Sequence, residues 1–116
     1  MQKVSYVLNG KLLLVEIADN FLRRLCGLMM HNPLPAGRAL LIEPCNSIHM
    51  CFMRFAIDAV YIDREYRILK VTRNLQPWLG LSFCRGAWGV LELTAGEAAR
   101  YGVVPGMQLQ YTQKRS

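Results

Sequence analysis

Residues 3–17 read KVSYVLNGKLLLVEI, two β-prone runs (3–8 and 11–17) joined by Asn9-Gly10. Asn-Gly is the strongest short hairpin signal, because both central positions of a type I′ turn require positive φ. From residue 38 onward the same texture of short apolar runs continues. RALLIEP (38–44) reads as a strand, and the apolar stretch 48–62 as one or two more. Asp63-Arg64-Glu65 makes a turn, and YRILKVT (66–72), AWGVLEL (87–93) and MQLQYT (107–112) follow as strands. Asn74 to Gly80, with Pro77-Trp78, reads as a loop.

Two helices interrupt the strands. Phe21, Leu22, Leu25, Cys26, Leu28 and Met29 fall at helical spacing, which predicts a helix over 20–30 capped by Asp19 or Asn20 and stopped at Asn32-Pro33. Thr94-Ala95-Gly96-Glu97 has the Ser/Thr-x-x-Glu form of a capping box and predicts a helix over 95–101 ending at Gly102. The order hairpin, helix, meander, helix, strand defines an α+β chain that is mainly β. We expect one domain over 1–116, a small β-barrel or sandwich with an N-terminal hairpin and two short helices.

The chain has 116 residues, of which 53% are hydrophobic and 19% charged, a composition that excludes disorder. No apolar run approaches the ~20 residues of a membrane span. The net charge is +6, and ten of the fourteen basic residues are arginine, yet only Arg23-Arg24 and Lys114-Arg115 are adjacent. Sequence-specific nucleic-acid binding concentrates such charge on one face, so a nucleic-acid partner is not expected. The N-terminal segment has only a four-residue apolar run, Leu12 to Val15, which is too short for a signal peptide and predicts a cytoplasmic location.

Several separated motifs carry a family resemblance. Arg24-Leu25-Cys26-Gly27-Leu28-Met29, Gly37 to Ile42, His49 to Asp58, Val90-Leu91-Glu92-Leu93, Ala95-Gly96 and Gly102-x-x-x-Gly106 occur in the order of the domain of unknown function 192 family. The chain resembles that bacterial and archaeal family over about residues 10–112, in the branch reading H-T-F-F-M-R-F-P-I-D, from which Met50, Cys51 and Ala56 depart. The resemblance implies a small β-barrel-like or sandwich fold with two helices and a family without an established activity.

Asp58 is the most informative single residue. It sits in FAIDAVYI between apolar neighbours, and a buried carboxylate must be paired, hydrogen-bonded or neutralised. Arg24 and Arg54 are the available cations, and the pair could be a structural tie between helix and sheet or the floor of a pocket. His49 is the other candidate acid–base group, but strand parity sets it with Cys45, Ser47, Cys51 and Met53, away from Asp58. Cys45, His49, Cys51 and Cys84 are ligand types that zinc accepts, although an extended 45–51 would spread them over ~20 Å. Cys45 and Cys84 could instead pair as a disulfide in an exported relative. Trp78 is the exposed aromatic best suited to partner contact, or else a lid.

The leading expectation is a non-catalytic module binding a small anionic ligand or a protein through Arg24, His49, Arg54, Asp58 and Trp78. The alternatives are a hydrolase-like or transfer enzyme using His49 or Asp58, and a Cys/His metal domain. No cofactor is implied, since the sequence has no Walker loop, no G-x-S-x-G and no dinucleotide glycine run.

Overall fold

The computed structural model describes residues 2–18, 33–50 and 53–115. The helix expected over 20–30 lies outside them. Strands β1 (Gln2–Leu8) and β2 (Lys11–Ala18) pair antiparallel along their whole length, as the hairpin reading requires. Asn9 and Gly10 turn the chain at φ 52° and 79°, the left-handed pair a type I′ turn needs.

The remaining strands are β3 (Arg38–Ile42), β4 (Ser47–His49), β5 (Ile57–Ile62), β6 (Ile68–Leu75), β7 (Leu81–Phe83), β8 (Gly89–Thr94) and β9 (Gln110–Arg115). Helix α1 (Glu97–Tyr101) follows β8. Seven strands form one sheet in the order β6-β5-β8-β3-β2-β1-β9, while β4 and β7 form a separate antiparallel ribbon. The architecture is thus mainly β. It is not the barrel expected from the sequence, because the edge strands β6 and β9 do not pair along their length. They approach through one bridge, Arg67–Gln108, supported by the amide of Ile68 donating to the carbonyl of Met107 at 2.7 Å. Beyond it, β9 pairs with β1, and β6 turns toward β7 through the Thr72–Ser82 hydroxyl contact at 2.8 Å.

Strand alternation divides the core in two. Val60 and Ile62 of β5, Ala39 and Leu41 of β3, and Leu91 and Leu93 of β8 face a first cluster with Tyr6, Leu13, Val15, Ala98 and Tyr101. Ile57, Ala59 and Tyr61 of β5, Leu40 and Ile42 of β3, and Val90 of β8 face a second cluster with Ile48, Met50, Met53 and Leu75. The three central strands are therefore apolar on both faces, which is why their sequences read as continuous rather than alternating runs. Helix α1 and the hairpin cover one face, and the β4–β7 ribbon lies over the other.

Helix α1 ends at Gly102 as expected but begins at Glu97, two residues later than the capping box predicts, and by a different device. Its N-cap is Gly96, which offers no side chain, and Thr94 turns its hydroxyl to the carbonyl of Leu34 at 2.9 Å. Glu97 does not reach back to its own cap either. It accepts the amide of Gly37 at 2.8 Å and pairs with Arg100 at 2.7 Å, tying the helix to the start of β3. The Tyr101 hydroxyl donates to the carbonyl of Leu12 at 2.6 Å, and Asn9 donates to the carbonyl of Tyr101 at 2.8 Å. Thr94 and Glu97 are thus engaged by the Leu34 carbonyl and the Gly37 amide in place of each other's backbone.

The Arg100 guanidinium, opposed by a smaller effect of burial and aided by the Gly37 amide, holds the Glu97 carboxyl below its ordinary value of 4.5. A lowered folded-state value stabilises above the unfolded pKa and is lost as pH falls through the folded one. Glu97→Gln should therefore lower the melting temperature at pH 7. The gap to the wild-type chain should close as pH falls below about 4, and melting curves across that range measure it.

Candidate functional site

Asp58 opens β5 on the side of the first core and is 1% exposed. Its Oδ2 accepts the amides of Gly96 at 3.0 Å and Ala98 at 2.9 Å, the first donors of α1. Its Oδ1 accepts the amide of Asn74 at 2.8 Å. Between Ile57 and Ala59 the β5–β6 register shifts, so that Ile57 faces Leu75 while Ala59 faces Thr72. The additional residue is taken up as a bulge. Asn74 lies in it with φ 56°, and its amide is turned from the ladder to the carboxylate. The burial expected of Asp58 is observed, and three backbone amides donate to it. Arg24 lies outside the described residues, and Arg54 is exposed on the turn before β5.

His49 is placed elsewhere. It ends β4 on the outward face of the ribbon, opposite Leu81, and is exposed. The chain turns inward immediately after it: the Met50 carbonyl accepts the amides of Met53 at 3.1 Å and Trp78 at 2.7 Å, and the Met50 amide donates to Gly80 at 2.9 Å. The parity that set His49 with Met53 therefore ends at Met50, and Met53 is buried in the second core. His49 and Asp58 do not share a point of approach. His49, Arg54 and Trp78 do lie together around the Met50 turn.

The metal set is not assembled among the described residues, where no three His, Cys, Asp or Glu side chains converge. Cys45 and Cys84 pack toward the second core as thiols, while His49 points outward; Cys51 lies outside the described residues. The Cys45 thiol donates to the carbonyl of Ser47 at 3.1 Å rather than bonding to Cys84. Beneath the ribbon, burial pushes the Tyr61 phenol up to about 12, so it stays neutral at physiological pH.

Sequence reasoning missed the residues that surround Trp78. β7 has an inward Ser82 and an outward Leu81 and Phe83, 73% and 65% exposed. Leu79 is 88% exposed and Trp78 57%. The Leu79 amide donates to the Pro77 carbonyl at 2.8 Å, closing a γ-turn on Trp78 at φ 69°. A γ-turn of this hand is rare and strained, and persists only where its surroundings enforce it. The signal was present: Leu79, Leu81 and Phe83 alternate with small residues at strand spacing. Glu92, 3% exposed in β8 opposite Leu40 and Ala59, was also missed as a buried carboxylate.

A hollow among Pro44, Cys45, Asn46 and Ala87 adjoins the start of β4, and others lie away from this face. One sits among Lys3, Leu14, Glu16, Leu34 and Arg38, and another among Arg64, Tyr66, Trp88 and Tyr111, where Arg64 stacks 4.0 Å over Trp88. What the fold and site define is a mainly-β module with an internal carboxylate holding its turns and an apolar outward ribbon. The family model for DUF192, described as Uncharacterized ACR, matches residues 4–111, and the chain belongs to that family.

Among curated relatives, a UPF0127 protein of Pyrococcus abyssi is 43% identical over 70 residues, covering 55% of this chain and 56% of that protein. A second, from Pyrococcus horikoshii, is 39% identical over 69 residues, covering 55% and 57%. The chain thus spans little more than half the length of these relatives. A crystal structure of a Sinorhizobium meliloti 1021 protein put forward as a transcription regulator superposes with TM-score 0.82 at 25% identity, covering 95% of this chain and 92% of that one. A protein of unknown function from Novosphingobium aromaticivorans superposes with TM-score 0.80 at 21% identity, covering 93% and 83%.

Asp58→Asn keeps size but puts an amide donor where a backbone donor already points. Each buried N–H left without an acceptor costs about 1–3 kcal/mol, so the variant should melt several degrees lower. Exchange of the Gly96 and Ala98 amides should quicken more than that of β1. At Gly80 a Cβ would lie 2.6 Å from Met50 Cγ and 2.9 Å from the Gln76 carbonyl oxygen. Gly80→Ala should therefore lower the melting temperature and shift the Trp78 emission, whereas Gly86→Ala, with open space around it but φ 85°, should leave that emission unchanged.

Proposed function

We propose that this chain is a non-catalytic binding module whose contact surface is the outward face of the β4–β7 ribbon and its loop 76–80. The observation that carries the reading is the grouping of Trp78, Leu79, Leu81 and Phe83, each more than half exposed, on one short ribbon. Single exposed apolar side chains need no explanation, but a contiguous group does. His49, opposite Leu81, and Arg54, next to the Met50 turn, support the reading as polar residues at the border of this face. Asp58 supports the reading indirectly, through the bulge that launches the loop.

An acid–base reading based on His49 and Asp58 has less support, since both oxygens of Asp58 already accept backbone amides. The transcription role suggested for the Sinorhizobium protein would bring this chain to DNA. Against that reading, the described cations Lys70 and Arg85 flank an apolar face rather than forming a stripe, and the one described helix has five residues. Photo-crosslinking in cells tests the proposal. A benzophenone side chain at position 81 should give adducts that Phe83→Asp diminishes, while the same probe at Leu12, an isolated exposed leucine, should give few. Equal labelling at both positions would overturn it.

A further inference from the structure

We infer that the surface engaged by the ribbon is an anionic lipid bilayer; the inference rests on the binding reading above and names its partner. Three observations combine. The first is composition: the outward group is Trp, Leu, Leu and Phe, and tryptophan in particular concentrates where lipid headgroups meet acyl chains. The second is charge. Segments 44–57 and 66–91, which include the ribbon, its loop and the adjoining β6 edge, contain no aspartate or glutamate; Lys70, and Arg85 two residues past Phe83, adjoin the ribbon, whereas Arg67 and Arg73 donate to the carbonyls of Gly106 and Val103. Lys70 Nζ donates to the Phe83 carbonyl at 2.8 Å and lies 5.5 Å from the Phe83 ring, so a cation stands directly beside the apolar face. Clustered lysine and arginine beside an apolar face attract the surface potential of anionic lipids.

The third observation is shape. Leu79 is 88% exposed in the turn 77–79 that leads into β7. A protruding apolar crest needs a deformable acceptor, and a bilayer interface supplies one without a preformed pocket. The strained turn at Trp78 and the close packing of Gly80 on Met50 keep the crest fixed, so little conformational freedom is lost on insertion.

Vesicle co-sedimentation of the full chain tests the inference. Binding to phosphatidylcholine vesicles containing one quarter phosphatidylglycerol should exceed binding to phosphatidylcholine alone by roughly tenfold or more. It should weaken at about 1 M salt, where the screening length is about 3 Å. The tryptophan emission should shift to the blue on binding. Leu81→Ser with Phe83→Ser should abolish the preference at an unchanged melting temperature. Should that double variant fail to fold, Leu79→Glu, at the most exposed side chain of the group, takes its place. Undiminished binding by the folded variant, or equal binding to both vesicles, overturns the lipid assignment. Protein adducts at position 81 without vesicle binding overturn the lipid assignment alone and leave the binding module standing. Absence of both adducts and vesicle binding removes the two together.

Discussion

Burying a carboxylate among leucines and valines is costly unless its lone pairs are taken, and at Asp58 they are taken by amides that would otherwise lack acceptors. Two belong to the first turn of α1, a five-residue helix far below the length at which helices hold on their own. The third belongs to Asn74, whose left-handed conformation removes it from the β5–β6 ladder. One side chain on β5 thereby caps a helix 40 residues away in sequence and stabilises a bulge 16 residues away. The Ala98 amide would be an uncompensated buried donor without it, and the carboxylate would be an uncompensated charge without the three amides. The contact is a mutual requirement, which explains why a strand otherwise built of Ile, Ala, Val and Tyr tolerates an acid.

The consequences reach the outward ribbon through the backbone. The bulge at Asn74 sets the direction in which the chain leaves β6, and the segment from Leu75 then reaches the Met50 turn, where the Trp78 amide is bound. A two-stranded ribbon is marginal by itself. Ile48 and Met50 anchor this one in the second core, and the Ser82 hydroxyl meets Thr72 on β6. Inward residues are thus committed to packing. The outward residues of the same strands meet no further layer of described residues, and their apolar character is not needed for the sheet beneath.

Much of this was legible in the chain. Asn9-Gly10 placed the hairpin, the continuous apolar runs placed β3, β5 and β8, and the apolar surroundings of Asp58 announced its burial. What could not be read were features decided by distance in space. Thr94 to Glu97 carries a correct capping-box pattern, yet the helix starts at Glu97 after Gly96, and a carboxylate from another strand takes the amides of Gly96 and Ala98. The barrel expectation failed because closure depends on whether β6 and β9 align, and a register between strands some forty residues apart has no local signature. Strand β7 escaped because alternation in LGLSF gives a period without a sign: Leu79, Leu81 and Phe83 look like core-facing residues, and only the ribbon's place over Tyr61 and Val90 turns Ser82 inward instead.

That reversal carries the functional argument. An exposed apolar edge is an aggregation hazard, and proteins blunt such edges with lysine, arginine and short strands. Here β7 has three residues, and Lys70 and Arg73 line the neighbouring β6 edge, so edge-to-edge association is opposed by shortness and by like charge. The same devices leave the face of the ribbon open. A surface that only needed protection would replace Leu79, Leu81 and Phe83 with polar residues at almost no cost to the core, since little of those side chains is buried. Their presence together with a strained turn at Trp78 and a glycine pressed against Met50 places three separate costs at one spot, which a contact of the proposed kind would offset together.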